Sequence, residues 1–463
     1  MKRFVTLTLL AAILLASCGG EASVETTAAD TTTMPETTGE TFDVPEELDF
    51  GGRTFTILAC DESVPYTYIE NPEEENGDVM NDAIYRRNSM VEEYLNVDIQ
   101  LETVKGSSTL TRFQQDIVSG DAVFDMVSPH IISGIATFVT EGYVVDLSAL
   151  DYVDFTKSWW NGSFAETMAI KGKTFYASGD MIAPNARVIV FNKQMMADYK
   201  LPDIYETIRA GKWTLDAMGS YTKDMVRDLN GDNVFDAQDQ YAFSDLSNTG
   251  LATSFLHASG QLVVEREGAD GFRVTLTDEK MHSLLNKLYD YLYLDGNTKI
   301  TNTEFGNGSV LFGSQVLLKL QVLRDAETEF GVIPFPKYDE AQDRYYSSVW
   351  NGLVCVPVTA KDMDCCGAVL EAMAHYSSDT LVPAYYEKLL GGKFARDDDS
   401  VEMLDIIFDS LVFDIGFCYD NWVGCYSALG TLLNQGSTDL LSYAASRMST
   451  YEEHYRTLFD SVE

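Results

Sequence analysis

A chain of 463 residues, 45% of them hydrophobic, is too long for one small core and reads as two or three lobes. Its 32 basic residues face 72 acidic ones, a formal charge of −40 with a pI near 4.3. That balance argues against nucleic acid and anionic lipid headgroups as partners, because both require a basic face. At the start, Lys2 and Arg3 precede the apolar run Phe4–Ala16. These are the charged and apolar regions of a secretory signal, and the run is too short to span a bilayer comfortably.

The run ends in Leu15-Ala16-Ser17-Cys18, which resembles a bacterial lipobox, where the cysteine is acylated and becomes the mature N-terminus. Residues 1–17 are then a signal peptide, and an acylated Cys18 anchors the chain to a membrane surface. Residues 18–50 are mostly Thr, Glu, Ala and Asp with few large apolar side chains, which predicts a disordered tether. Six cysteines remain: Cys60, Cys355, Cys365, Cys366, Cys418 and Cys425. An even count in a secreted chain invites disulfides. Cys60 and Cys355 lie in strand patterns, however, and Cys365 and Cys366 in a helical one, so these read as small buried residues. Only Cys418 and Cys425 have a plausible spacing for pairing, and no CxxC or Cys/His cluster suggests zinc.

Arg53–Cys60 reads as a strand, Gly77–Leu95 as an amphipathic helix, Val97–Glu102 as a strand, Leu110–Ser119 as a helix and Phe124–Ser128 as a buried strand. This alternation predicts a parallel sheet covered by helices, with a ligand outside the carboxyl ends of its strands, near Asp61, Glu62 and His130. A helix follows near Gly134–Glu141. The stretch MAIKGKTFYASGDMIAPNARVIVFNKQMM, Met168 to Met196, then reads as two short strands, Lys173–Ala177 and Arg187–Asn192, around a polar Gly/Pro-containing segment. The chain leaves one sheet and enters another there, which places a hinge beside a cleft. Gly172-Lys173-Thr174 is not the end of a phosphate-binding loop, since Thr167 stands where that motif needs its first Gly. Helices are expected over Leu201–Ala210, Thr214–Asp228, Thr249–Ser259 and Asp278–Leu294, with a hairpin around Gly268–Gly271. Strands follow at Ser309–Leu318, Phe330–Phe335 and Trp350–Pro357. From Lys361 the chain is mostly helical, with Ser437 as N-cap of a last helix reaching Phe459.

The phrases "KGKTFYASGDM…VIVFNKQMM", "GYVVDLSALDYVDFTKSWWNGSF", "FGVIPFPKYDE" and "SSVWNGLVCVP" occur in the order found in extracellular solute-binding proteins that feed ABC importers. From about Gly52 onward the chain resembles that group, which contains maltodextrin-binding protein. The resemblance implies a two-lobed α/β fold of the periplasmic-binding-protein type II kind, with hinge crossovers and a mainly helical C-terminal segment. It implies a first lobe of residues 51–178 and 309–358 and a second of residues 179–308 and 359–463. It further implies a lipid-anchored monomer on the outer face of a bacterial membrane, capturing a carbohydrate, with an oligosaccharide as the favoured case, for an ABC permease, without catalysis. A surface glycoside hydrolase is the alternative, since 72 acids leave room for its carboxylate pair, although HExxH, GxSxG and GxGxxG are all missing. A lipid-anchored adhesion protein is a third reading.

That third reading rests on Asp228-Leu-Asn230-Gly-Asp232-Asn-Val234-Phe-Asp236-Ala-Gln-Asp239. The segment has oxygen donors at positions 1, 3, 5, 9 and 12 of a twelve-residue loop, and Val234 at position 7 would add its carbonyl. This is the spacing Ca²⁺ requires to gather six or more hard oxygens. It departs from the EF-hand pattern at Asn233, where Gly is usual, and at Asp239, where Glu is usual, while Phe235 occupies the apolar anchor position. A structural Ca²⁺ is the expectation, against an Asx-rich turn that binds nothing.

Sugars present hydroxyl edges and apolar faces, so their sites combine carboxylates or amides with aromatic platforms. The candidates are Trp159, Trp160, Trp350, Asn351, Trp422 and Tyr426, with Asp61, Glu62, His130, Asp180 and Arg187 as polar partners. Asp180 lies in the crossover itself. Each Trp has a plain alternative as a core side chain, and His257, after an apolar helical run, reads as a satisfied buried His. One Arg at a hinge also clamps carboxylates or phosphates, so Arg187 keeps peptide, amino-acid and anionic ligands open.

Overall fold

Arg53–Cys60 forms β1 because its β-branched and apolar residues can be buried on both faces of a sheet. In the computed structural model, which describes residues 40–60, 68–245, 248–268, 271–292, 300–301, 305–323, 328–390 and 398–463, β1 is the centre of a three-stranded parallel sheet. It pairs along its whole length with β2 (Val97–Val104) and on its other side with β3 (Met126–Ser128). The parallel connections are made by α1 (Val79–Leu95) and α2 (Thr109–Ser119). The Asp78 carboxylate caps α1 by accepting from the Met80 and Asn81 N–H groups. Short helices α3 (Ile135–Thr140) and α4 (Gly162–Met168) complete this lobe.

The second lobe is built from β4 (Arg187–Asn192), α5 (Lys193–Asp198), α6 (Ile204–Arg209), α7 (Leu215–Thr222), β5 (Tyr241–Ser244), α8 (Asn248–Ala258), the hairpin β6 (Val264–Glu267) with β7 (Gly271–Val274), α9 (Glu279–Leu292), β8 (Ile300–Thr301), β9 (Val310–Val316) and β10 (Phe330–Ile333). Its five-stranded sheet has the order β10-β4-β9-β5-β8, with β4 antiparallel to both its neighbours and β9 parallel to β5. The remaining elements are β11 (Ser347–Ser348), α10 (Met363–Asp379), α11 (Leu381–Leu390), α12 (Asp398–Phe408), β12 (Leu411–Val412), α13 (Ile415–Cys418), α14 (Ala428–Asn434), α15 (Leu440–Ala445) and α16 (Met448–Asp460).

Several expectations are corrected by this pairing. Residues 309–335 do not return to the first lobe, because β9 and β10 flank β4 in the second sheet; the return is made only by residues 347–357. Nor does all of 359–463 belong to the second lobe, since α10 and α11 pack along α1, and Cys365, Val369 and Met373 share a core with Phe55 and Ile57. The expected strand over Lys173–Ala177 is present only as isolated bridges, Ile170↔Lys173 and Ala177↔Val354. The last helix is broken into α15 and α16, with Asp439 rather than Ser437 as the N-cap of α15. All six described cysteines are free thiols, Cys418 and Cys425 included.

The tether reading of residues 18–50 is overturned from residue 40 onward, where the chain is docked as an arm. Val44 is buried, the Phe42 ring stacks on His375 with centroids 4.3 Å apart, and Asp43 pairs with Lys157. The Tyr94 hydroxyl donates to the Val44 carbonyl at 2.7 Å. Residues 1–39, with Cys18, lie outside the described residues. Among the described residues no helix is long and apolar enough to cross a membrane.

Candidate functional site

Two chain segments run side by side between the sheets, residues 177–187 and 347–357. Asn185 fastens them. Its backbone N–H donates to Asn351 Oδ1 at 2.6 Å, its Nδ2 to the Trp350 carbonyl at 3.0 Å, and its own carbonyl accepts from the Trp350 N–H at 3.0 Å. Asn351 is thereby committed to the crossover backbone.

Around Trp350 the ends of several strands meet. His130, just past β3, bridges Gly352. Arg187, the first residue of β4, lies 5.8 Å from the Trp350 ring centroid. The Phe417 ring is 4.9 Å from Trp350 and 5.2 Å from Tyr426. His130 and Asp245 both follow the carboxyl ends of strands, β3 and β5, where open sheets present their sites.

The charges in this floor are largely spent. Arg187 Nη2 donates to Asp245 Oδ2 at 2.6 Å and Nε to Ser314 Oγ at 2.7 Å, so the anion clamp expected of Arg187 is already occupied by a buried carboxylate. Burial, reinforced by the Lys319 ammonium, brings the His130 imidazole down to about 4 against a hydrogen bond with the Trp350 backbone, so the ring is neutral at ordinary pH. The Ile132 N–H donates to its Nδ1 at 3.3 Å, which leaves the proton on Nε2. Among the described residues one donor of this floor has no hydrogen-bond partner: Trp350 Nε1, which is buried. An orphaned donor of this kind costs about 1–3 kcal/mol unless something accepts from it. The floor thus presents one neutral donor, Trp350 Nε1, amid aromatic surface, an arrangement suited to an uncharged polar molecule.

Other candidates fall elsewhere. Trp159 and Trp160 are buried residues away from the Trp350 floor, and their Nε1 atoms both donate at 2.7 Å to the buried Glu371 carboxylate of α10, so neither indole N–H is left for a ligand. Burial raises Glu371 above the usual carboxylate range, the two indole donors opposing that shift. Asp180 sits on the far flank of the crossover, with Ser378 Oγ donating to it at 2.7 Å. Asp61 and Glu62 lie outside the described residues. Trp422 is 61% exposed and has φ +62, next to Asn421 at φ +49. Its loop is held by buried Asp420, which accepts from the N–H groups of Gly424 (2.9 Å), Cys425 (2.7 Å) and Tyr426 (3.2 Å). Asn421 Nδ2 reaches Thr137 Oγ1 of α3 at 2.7 Å, and a Cβ at Gly134 would meet Trp422 Cζ3 at 2.6 Å. Trp422 therefore comes from the C-terminal segment and lies against the start of α3 in the first lobe.

Sequence reading missed Asp245, Phe417 and Asp420; the position of Asp245, directly after a buried strand, was the one available signal. His257 is a satisfied buried His. Its Nδ1 faces Ser348 Oγ at 2.9 Å and its Nε2 faces Asp414 Oδ2 at 3.2 Å. The Ser-His-Asp order is that of a hydrolytic triad, but all three side chains are buried, and Asp414 also holds the Val263 and Gly416 N–H groups. This is an internal brace.

The loop of residues 228–239 is a ladder of Asx turns. Asp228 accepts from Gly231 (2.6 Å) and Asn233 (2.7 Å), Asn230 from Asp232 (2.9 Å), Asp232 from Val234 (2.7 Å) and Asp236 from Gln238 (2.8 Å). Asp239 accepts from Leu229 and Asp236, each at 2.9 Å. Asn233 takes φ +61 at the position where Gly is usual. Phe235, expected as an apolar anchor, is 41% exposed. Among the described residues no three His, Cys, Asp or Glu side chains form a metal-holding group.

No protein-family model matches the chain, and no curated protein matches it in sequence. Solved structures do match in shape. An ABC substrate-binding protein from Listeria monocytogenes in complex with cycloalternan superposes with a TM-score of 0.58 at 12% identity, covering 87% of this chain and 98% of that one. The fold is that of a type II solute-binding protein. The galacto-N-biose/lacto-N-biose I-binding protein of an ABC transporter from Bifidobacterium longum gives 0.58 at 14% identity, covering 87% and 98%. The cyclic α-maltosyl-1,6-maltose binding protein from Arthrobacter globiformis gives 0.54 at 15% identity, covering 88% and 99%.

Proposed function

We propose that this chain is an extracellular solute-binding protein that captures a carbohydrate, an oligosaccharide in the favoured case, and delivers it to an ABC transporter permease. The observation that carries the reading is the floor around Trp350, where a buried indole N–H without a partner among the described residues, a neutral His130 and a neutralised Arg187 meet at strand ends of both sheets. Such a floor suits hydroxyl groups better than carboxylates or phosphates. The ligand contacts of the two lobes exist together only when the lobes close, so a sugar shifts the open and closed populations by its differential affinity. Trp422, exposed and held in a left-handed conformation, supplies an apolar face for the sugar from the C-terminal side. No covalent chemistry is part of this reading. Acylation of Cys18 would hold the monomer at the outer face of the membrane, and structural Ca²⁺ at residues 228–239 belongs to the same proposal, supported by the donor spacing and by Asp239 tying the loop's end back to Leu229.

A thermal-shift screen against oligosaccharides, monosaccharides, amino acids and peptides tests it, since a ligand bound only by the native state raises the melting temperature. A sugar is expected to stabilise the protein and to be recovered unchanged. Stabilisation by an amino acid or peptide alone, or recovery of cleaved sugar, would overturn it.

A further inference from the structure

The crossover has an outer flank as well as the floor facing His130. Going outward from His130, the bridges run to Gly352, from Val354 to Ala177, and from Gly179 to Trp160. A cavity of about 340 Å³ lies on that outer side, between residues 178–184 and the start of α11. Its size suits a small organic molecule. Asp180, Trp160, Tyr385, Tyr386, Ser178 and Asn351 contribute to its walls, and among the described residues no Lys, Arg or His lines it.

Asp180 is the unusual member. Its carboxylate accepts one side-chain hydrogen bond, from Ser378, and pairs with no cation among the described residues. Burial lifts it to about 6, the response of an acid that lacks a counter-charge. Its charge reaches Tyr386, which is pushed up to about 12, mainly by burial and in part by Asp180 and other acids. A desolvated, unpaired carboxylate walled by aromatic side chains complements a cation on both counts, by charge and by attraction to ring faces. A chain of formal charge −40 also concentrates small cations near its surface.

We propose that this outer cavity binds a small organic ammonium ion, with its charge against Asp180 and its carbon atoms against Trp160, Tyr385 and Tyr386. The site is separate from the floor around Trp350 and does not depend on the carbohydrate reading.

Calorimetric titration of the full chain with choline, tetramethylammonium and ethanolamine tests the site, with the uncharged carbon analogue of choline, dimethylbutanol, as control. At least one of the three cations is expected to bind, and dimethylbutanol to bind at least about tenfold more weakly than choline. Asp180→Asn, which removes charge without removing volume, is expected to weaken the cation about tenfold or more. Tyr386→Leu is expected to weaken it about threefold to tenfold through loss of the ring, and serves if the first variant does not fold. No binding of any cation, equal binding of choline and dimethylbutanol, or an affinity untouched by the variants would overturn the proposal.

Discussion

At Trp350 a single atom separates two roles for one ring. Trp350→Phe keeps an aromatic surface beside Arg187 and Phe417 and removes the unbonded Nε1 donor together with one ring of the indole. The gap left by the smaller ring is expected to cost the free protein about 1–2 kcal/mol, partly offset by loss of the orphaned donor, while affinity for the sugar found by screening falls about fivefold to tenfold, the worth of one neutral hydrogen bond. Titration and melting of the same sample check both halves; unchanged affinity would remove Trp350 from the ligand site. At Asp180 the consequence concerns pH. Its folded pKa is raised to about 6 from an ordinary 3.8, so folding favours the protonated acid. That preference supports the fold below the ordinary value and is lost as pH rises through about 6. Asp180→Asn is therefore expected to be more stable than the parent by about 1–2 kcal/mol at about pH 7.5, a figure reduced for partial exposure, with the difference vanishing near pH 4. Denaturant melts of both proteins at the two pH values measure it.

At the level of elements, the loop of residues 228–239 ties the end of the chain after α7 to β5. If it holds Ca²⁺, millimolar calcium against EDTA is expected to raise the melting temperature by about 2–5 °C, because an ion bound only by the folded loop adds its binding energy to stability. An unchanged melting temperature would reduce the loop to a connection closed by its own N–H groups. Periodicity made β1, α1, β2 and α2 legible almost to the residue, since each buries one face or both against a continuous core. It could not say which sheet β9 and β10 join, because an apolar strand carries no label for its partner. The site was half legible for a similar reason. His130, Arg187, Trp350 and Tyr426 stood out as chemistry near strand ends and do lie together. Trp159 and Trp160 stood out equally, yet their acceptor is Glu371, 212 and 211 residues away, on a helix no local pattern connects to them.

Across the molecule, the C-terminal segment is shared rather than assigned to one side. α10 and α11 cover α1 of the first lobe, while α12 lies against β10 and α14 against α8 of the second. The closing motion proposed for ligand capture must therefore be absorbed by the two crossover strands and by the linkers of this segment together. The docked arm at residues 40–50 has a mechanical meaning. Its grip includes a ring stack, an ion pair and a hydroxyl, set against α10, the 157–158 turn and α1 respectively. A load applied at residue 40 would peel these contacts one after another before it reached the β1 ladder, so any pull on the arm would be spent there before it reached the floor between the sheets.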